Sequence, residues 1–113
     1  MIYIAGPVTG YEDDNRPAFE EARRALKARG CLDVRIPHDF VPEGAAWSHA
    51  MRRCIKELTD ADALVFLPGS CDSRGASLES AIARELGIPA FSLWEALRTP
   101  GRCHMTEGDQ DAE

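Results

Sequence analysis

Ala63-Leu-Val-Phe-Leu67-Pro-Gly69 and, two residues on, Asp72-Ser-Arg-Gly75-Ala-Ser-Leu-Glu79-Ser-Ala-Ile-Ala-Arg-Glu-Leu-Gly87 decide the fold. The first run is short, continuously apolar and closed by Pro-Gly, which predicts a strand of the buried parallel kind. A polar loop follows, then a helix that begins near Gly75 and stops at Gly87. Strand, glycine-bearing loop and helix in that order aim the helix start and its free N–H groups above the sheet edge. Glu79 falls in the first or second turn and Asp72 in the loop before it, so two carboxylates reach the mouth of one loop. Leu78, Ala81, Ile82 and Leu86 make the expected sheet-facing stripe, with Glu79 beside it and able to point along the crevice.

Upstream, Met1-Ile-Tyr-Ile-Ala5 is a strand at the chain start, suited to the centre of an open α/β sheet. The loop Gly6 to Asn15 holds two glycines, a proline, Tyr11 and three acids. Asn15 reads as the cap of a helix with Pro17 in its first turn, Gly30 as its stop, and Phe19, Ala22 and Leu26 inward. Glu20, Glu21, Arg23, Arg24 and Lys27 are expected to face water. Leu32 to Ile36 reads as a half-exposed edge strand, and 37–46 as a loop that could fold over a site. Trp47, Met51, Cys54, Ile55 and Leu58 recur at helical spacing and read as core. Downstream, Ile88 to Leu93 is a fourth strand and Trp94 to Arg98 a helical turn.

This βαβαβαβ order implies a doubly wound, flavodoxin-like or Rossmann-like parallel sheet of four to five strands, order 2-1-3-4, with helices on both faces and right-handed crossovers. The topology then switches between strands one and three, where ligands bind at the carboxyl ends. Loops 6–15 and 68–75 empty there. Residues 1–98 make one domain, and 99–113 an acidic tail whose last seven residues carry four acids and no base.

The whole chain of 113 residues carries a net charge of −6, which argues against a nucleic-acid polymer as partner. No apolar run approaches the ~18 residues of a membrane span. Four cysteines (31, 54, 71 and 103) lack C-x-x-C pairing, and the start lacks a signal peptide, so a reduced cytoplasmic setting is expected. The histidines at 38, 49 and 104 are scattered without ligand spacing; neither metal nor cofactor is expected.

Each candidate has a plainer reading beside it. A glutamate in the first turn complements the macrodipole, worth about 0.3–1 kcal/mol. Asp72 can serve as a loop or capping acid. Tyr3 can be core, but a buried phenol needs a partner, and Glu79 across the strand ends is one. Arg16 and Arg74 can be solvated or can meet a ligand. Cys71 abuts the loop with no histidine beside it in sequence, so packing is the simpler account.

Met1-Ile-Tyr-Ile-Ala-Gly-Pro-Val-Thr-Gly10, Asn15-Arg-Pro-Ala-Phe19, Met51-Arg-Arg-Cys-Ile55, Ala61 to Gly69 and Asp72 to Glu79 together resemble a small, often phage- or prophage-encoded family. That family is similar to the nucleoside 2-deoxyribosyltransferases and the deoxynucleoside-monophosphate N-glycosidases. The resemblance implies Glu79 as a nucleophile toward the anomeric carbon of a 2-deoxyriboside. It implies Asp72 on the sugar hydroxyl, Tyr3 orienting Glu79, and Gly6, Pro7 and the Ser73–Arg74–Gly75 loop lining the sugar or phosphate pocket; Arg16 and Gly69, beside the same crevice, are further candidate substrate-binding residues. It also implies a homodimer or higher homo-oligomer. Where those enzymes usually hold or protonate the leaving base with an aspartate, this chain has Cys54, a weak donor. Three functions follow: an N-glycoside-cleaving or base-exchanging enzyme on a deoxynucleoside or its 5′-monophosphate; a nucleotide-binding or sensing module of the same fold without turnover; and a phage accessory protein acting through its surface.

Overall fold

A computed structural model describes residues 1–98; the expected acidic tail at 99–113 lies outside the described residues. The strands are β1 (Ile2–Ala5), β2 (Val34–Arg35), β3 (Ala63–Phe66) and β4 (Ala90–Ser92). The helices are α1 (Arg16–Ala28), α2 (Trp47–Leu58), α3 (Arg74–Glu85) and α4 (Leu93–Arg98). All strand pairs are parallel in the order β2-β1-β3-β4, so the predicted 2-1-3-4 sheet is the observed one. In the centre Ile2, Tyr3, Ile4 and Ala5 stand beside Ala63, Leu64, Val65 and Phe66.

Alternation along the strands sends successive side chains to opposite faces. Ile2, Ile4, Ala63 and Val65 pack with Phe19, Ala22 and Leu26 of α1 and Ala96 of α4. Tyr3, Ala5 and Leu64 pack with Cys54 and Leu58 of α2 and Ala76 and Ala83 of α3. Each face therefore has two helices, and the site lies on the second. No helix among the described residues is long and apolar enough to cross a membrane.

The edge strand is shorter than the expected Leu32–Ile36. Leu32 is 90% exposed, and only Val34 and Arg35 pair with β1. Asn15 does not cap α1 through its side chain. It sits at φ 59° and its amide donates to the Pro7 carbonyl at 2.8 Å, tying the loop after β1 to its own root. Asp13 and Asp14 share the left-handed conformation, at φ 55° and 53°. Arg23, expected in water, instead clasps Glu20 and Asp39, while Asp39 accepts from the Ile36 N–H. That clasp pins a turn at Pro37–Asp39. The His38 Nε2 lies 2.8 Å from the Asp14 carbonyl, joining this turn to the loop after β1.

Candidate active site

The helix start is built as its sequence suggests. Ser73 caps α3, its hydroxyl accepting from the Ala76 N–H at 3.2 Å. Of the expected Leu78–Ala81–Ile82–Leu86 stripe, Ile82 packs against the core on this face, but the stripe as a whole is not the buried side of α3. Ala76, Glu79 and Ala83 are the buried residues, while Leu78 and Leu86 are exposed. Small residues let α3 approach the strands closely, and the room left above Tyr3 is filled by a carboxyl group rather than by leucine. Glu79 is 4% exposed and accepts a 2.5 Å hydrogen bond from the Tyr3 hydroxyl, itself fully buried on the central strand. A distance this short is characteristic of O–H donation to a carboxylate.

Burial dominates the electrostatics. Removal from water pushes the Glu79 carboxyl up to about 7, opposed only in part by the Tyr3 hydrogen bond. Burial, and then the neighbouring Glu79 charge, lift Tyr3 well above its ordinary value. Cys54 of α2 is driven up to about 12, first by burial and then by Glu79, so its thiol stays protonated near neutrality. Phe40, from the loop expected to fold over the site, packs on this face with its ring centroid 6.3 Å from that of Tyr3. Phenol, carboxyl, thiol and phenylalanine thus form one buried cluster in which Glu79 ionises near neutral pH.

The remaining predicted residues are found in different states. Gly6 and Pro7 are buried at the end of β1. A Cβ at Gly6 would come within 3.0 Å of the Leu67 side chain, so the two central strand ends approach closely only because position 6 is glycine. Gly69, at φ 89°, lies under Pro7 and Tyr11: a Cβ there would stand 3.4 Å from Pro7 Cγ and 3.3 Å from the Tyr11 hydroxyl. The loops after β1 and β3 therefore touch. Gly75 abuts Met51, whose Sδ would be 3.0 Å from an added Cβ. Asp72 is exposed, and no hydrogen bond joins its carboxylate to Tyr3 or Glu79. Arg16 is drawn to Glu20 on its own helix at 3.7 Å. Arg74 stacks on Trp47, its guanidinium carbon 3.7 Å from the ring centroid.

Trp47 was expected in the core, yet it is half-buried and carries that arginine. Its helical spacing was right, but as the first residue of α2 it overhangs the sheet end rather than the strands. Phe40 and Tyr11 were legible only as loop aromatics; an aromatic in a loop entering the switch-point crevice is the signal that finds them. Cys71 is a free, exposed thiol at the margin of an open groove of about 660 Å³ between α3 and β4. Neither Tyr3 nor Glu79 lines that groove. Among the described residues no group of three or more His, Cys, Asp or Glu side chains is placed to hold a metal.

A four-stranded parallel 2-1-3-4 sheet with a helix starting at its switch point defines a doubly wound α/β protein. The solved structure of a 2-desoxiribosyltransferase from Leishmania mexicana superposes with a TM-score of 0.61 at 21% identity, covering 80% of this chain and 61% of that one. At that identity the likeness is one of fold, and this chain spans under two thirds of the length of its neighbour. The chain belongs to the family described as a domain of unknown function, DUF4406, which matches residues 1–91. No curated protein matches it in sequence.

Proposed function

We propose that this protein cleaves the N-glycosidic bond of a 2′-deoxynucleoside or its 5′-monophosphate through a glycosyl ester on Glu79. The observation that carries this reading is the buried Tyr3–Glu79 hydrogen bond at the switch point of the sheet. The ionised Glu79 oxygen bonds to C1′ as the C1′–N bond breaks, and the base leaves with that electron pair and takes a proton from solvent, which the attacking nucleophile returns in the second step. Water, or a second base, then attacks C1′ and frees the carboxylate. A carboxylate beside an oxocarbenium-like centre stabilises its positive charge before bonding to it. Tyr3 fixes which Glu79 oxygen is free, and a helix holds the acid more firmly than a loop would. Asp72 takes the sugar hydroxyl, and Gly6, Pro7, Gly69, Ser73 and Gly75 line the sugar. The protein acts in the cytoplasm as a homodimer or higher homo-oligomer, since loops this open in so small a chain need a neighbour to cover them.

A second reading, a nucleotide-binding module without turnover, is favoured by Cys54. A buried, protonated thiol stands beside the site where an aspartate would assist the leaving base. Incubation with the four deoxynucleosides and their 5′-monophosphates, with free base followed by chromatography, separates the two. Base release abolished in Glu79→Ala but retained in Lys27→Ala, on the outer face of α1, supports the enzyme. Tight binding without release from any substrate overturns it in favour of the module. Release should rise with pH through about 7, because only the ionised Glu79 attacks.

A further inference from the structure

A phenol oxygen carries one proton to give and lone pairs to receive. Tyr3 gives its proton to Glu79 at 2.5 Å, and no N–H or O–H among the described residues donates back to the Tyr3 oxygen. The buried hydroxyl of Ser70 is turned instead to the Leu67 carbonyl at 2.6 Å. The group that does reach the phenol is a thiol. Cys54, 5% exposed on the Met51–Cys54–Leu58 stripe of α2, lies within hydrogen-bonding range of it. Three elements, β1, α2 and α3, thus bring a thiol, a phenol and a carboxyl together among the apolar Ala5, Leu58, Leu64, Ala76 and Ala83. Arg53, exposed on α2, also acts on the thiol, weakly opposing the larger effects of burial and of Glu79.

We propose that Cys54 is a positioning residue: its S–H donates to the Tyr3 oxygen, commits the phenol proton to Glu79 and so eases ionisation of that acid. This rests on, and deepens, the reading of Glu79 as the nucleophile. In the sequence S–H to O–H to carboxylate each donated bond strengthens the next donor. A thiol is a weak donor, so its effect is small, but it stays a donor where it is needed. Burial, and then the Glu79 charge, push it up to about 12, so it remains protonated across the range in which Glu79 ionises. An acid in its place would act oppositely, competing for the phenol proton and setting a second negative charge beside Glu79. The thiol therefore serves the attacking acid and not the departing base.

The first measurement needs no substrate. The S–H stretch of Cys54, isolated by subtracting the infrared spectrum of Cys54→Ala, is expected below the frequency of a free thiol. It should fall further as pH rises through about 7, because the ionised Glu79 draws on the phenol proton and enriches the oxygen that receives the thiol. In Tyr3→Phe, with Cys54→Ala subtracted in the same background, the band should sit at the free-thiol position at every pH. The second measurement is the Glu79 ionisation midpoint, read from its carboxyl carbon by NMR and in parallel from the pH profile of base release. Cys54→Ala and Cys54→Val bracket the volume of cysteine, and both should raise the midpoint by about half a unit, about threefold in ionised fraction below it. Cys54→Ser keeps a donor and should hold the midpoint near the wild-type value. Added to Tyr3→Phe, Cys54→Val should move the midpoint no further, whereas a thiol acting through packing alone would add its own effect. A band unmoved by Tyr3→Phe overturns the proposal. So do midpoint shifts of opposite sign in Cys54→Ala and Cys54→Val, or serine behaving as alanine does. Both signatures without base release from any substrate uphold the role of Cys54 and remove only the enzyme reading. Base release with neither signature does the reverse.

Discussion

The two faces of this sheet are built from neighbouring residues of the same strands and are chemically unlike. Beneath α1 and α4, Ile2, Ile4, Ala63 and Val65 meet Phe19, Ala22 and Leu26, with no buried acid or phenol among them. Beneath α2 and α3, one residue away in each strand, Tyr3 meets Glu79 and Cys54. The first face gains from burying its side chains. The second buries a carboxyl at the cost of raising its pKa to about 7, where an apolar residue would cost nothing. A face serving stability alone does not require that group. The contrast marks where the chain gives up stability to keep an ionisable pair out of water.

The contrast is broken most strongly from its apolar side. Phe19 is fully buried. Phe19→Ala should cost about 3–5 kcal/mol in urea unfolding, while base release or ligand affinity per folded molecule stays unchanged. On the site face the largest effect has the opposite sign. Glu79 has a folded-state pKa of about 7 against an ordinary 4.5, so between those values the folded protein holds the extra proton. Wild-type stability therefore falls as pH rises through that window, by a total of about 3 kcal/mol, and levels off above it. Glu79→Gln cannot ionise there. Urea unfolding from pH 4 to 9 should find it insensitive through the window, close to wild type at the acid end and more stable at pH 8. Base release should be lost throughout. A wild type equally stable at pH 5 and pH 8 would show Glu79 to be better solvated than its packing indicates.

The contrast also explains what could be read from sequence. Apolar periodicity located the elements: the span Trp47–Leu58 matches α2, and the punctuation at Pro68–Gly69 and Gly87 brackets β3 and α3. It failed in the rotation of α3. Leu78 and Leu86 looked like core and are exposed, because the helix lies against the sheet through Ala76, Glu79 and Ala83. A hydrophobicity pattern assumes that the buried stripe is the apolar one, and a site whose acid faces the sheet violates that assumption. Asn15 was misjudged for a related reason. Its residue type suits a cap, but three successive left-handed residues turn its amide back to Pro7, and that geometry leaves no trace in composition. The stack of Arg74 on Trp47 joins residues far apart in sequence, so only the fold brings them together.

The smallest and sharpest comparison lies within a single strand. Tyr3 and Ile4 are adjacent in β1, equally inaccessible to water, and point to opposite faces. Ile4→Val removes one methylene from the apolar face and should cost about 0.5–1.5 kcal/mol at every pH, with no change in any pH profile. Tyr3→Phe removes one oxygen from the other face. The phenol lowers the Glu79 pKa by donating to it, so its loss leaves only the desolvation that raises it. The pH midpoint of base release should therefore move upward by about one unit, the worth of one hydrogen bond to an ionised group. Below about pH 4, where Glu79 is mostly protonated in folded and unfolded states alike, Tyr3→Phe should lose little more stability than Ile4→Val. Above pH 7 the gap between them should widen, because the ionised carboxylate then has no donor. A gap independent of pH would mean that Tyr3 supports packing and nothing else.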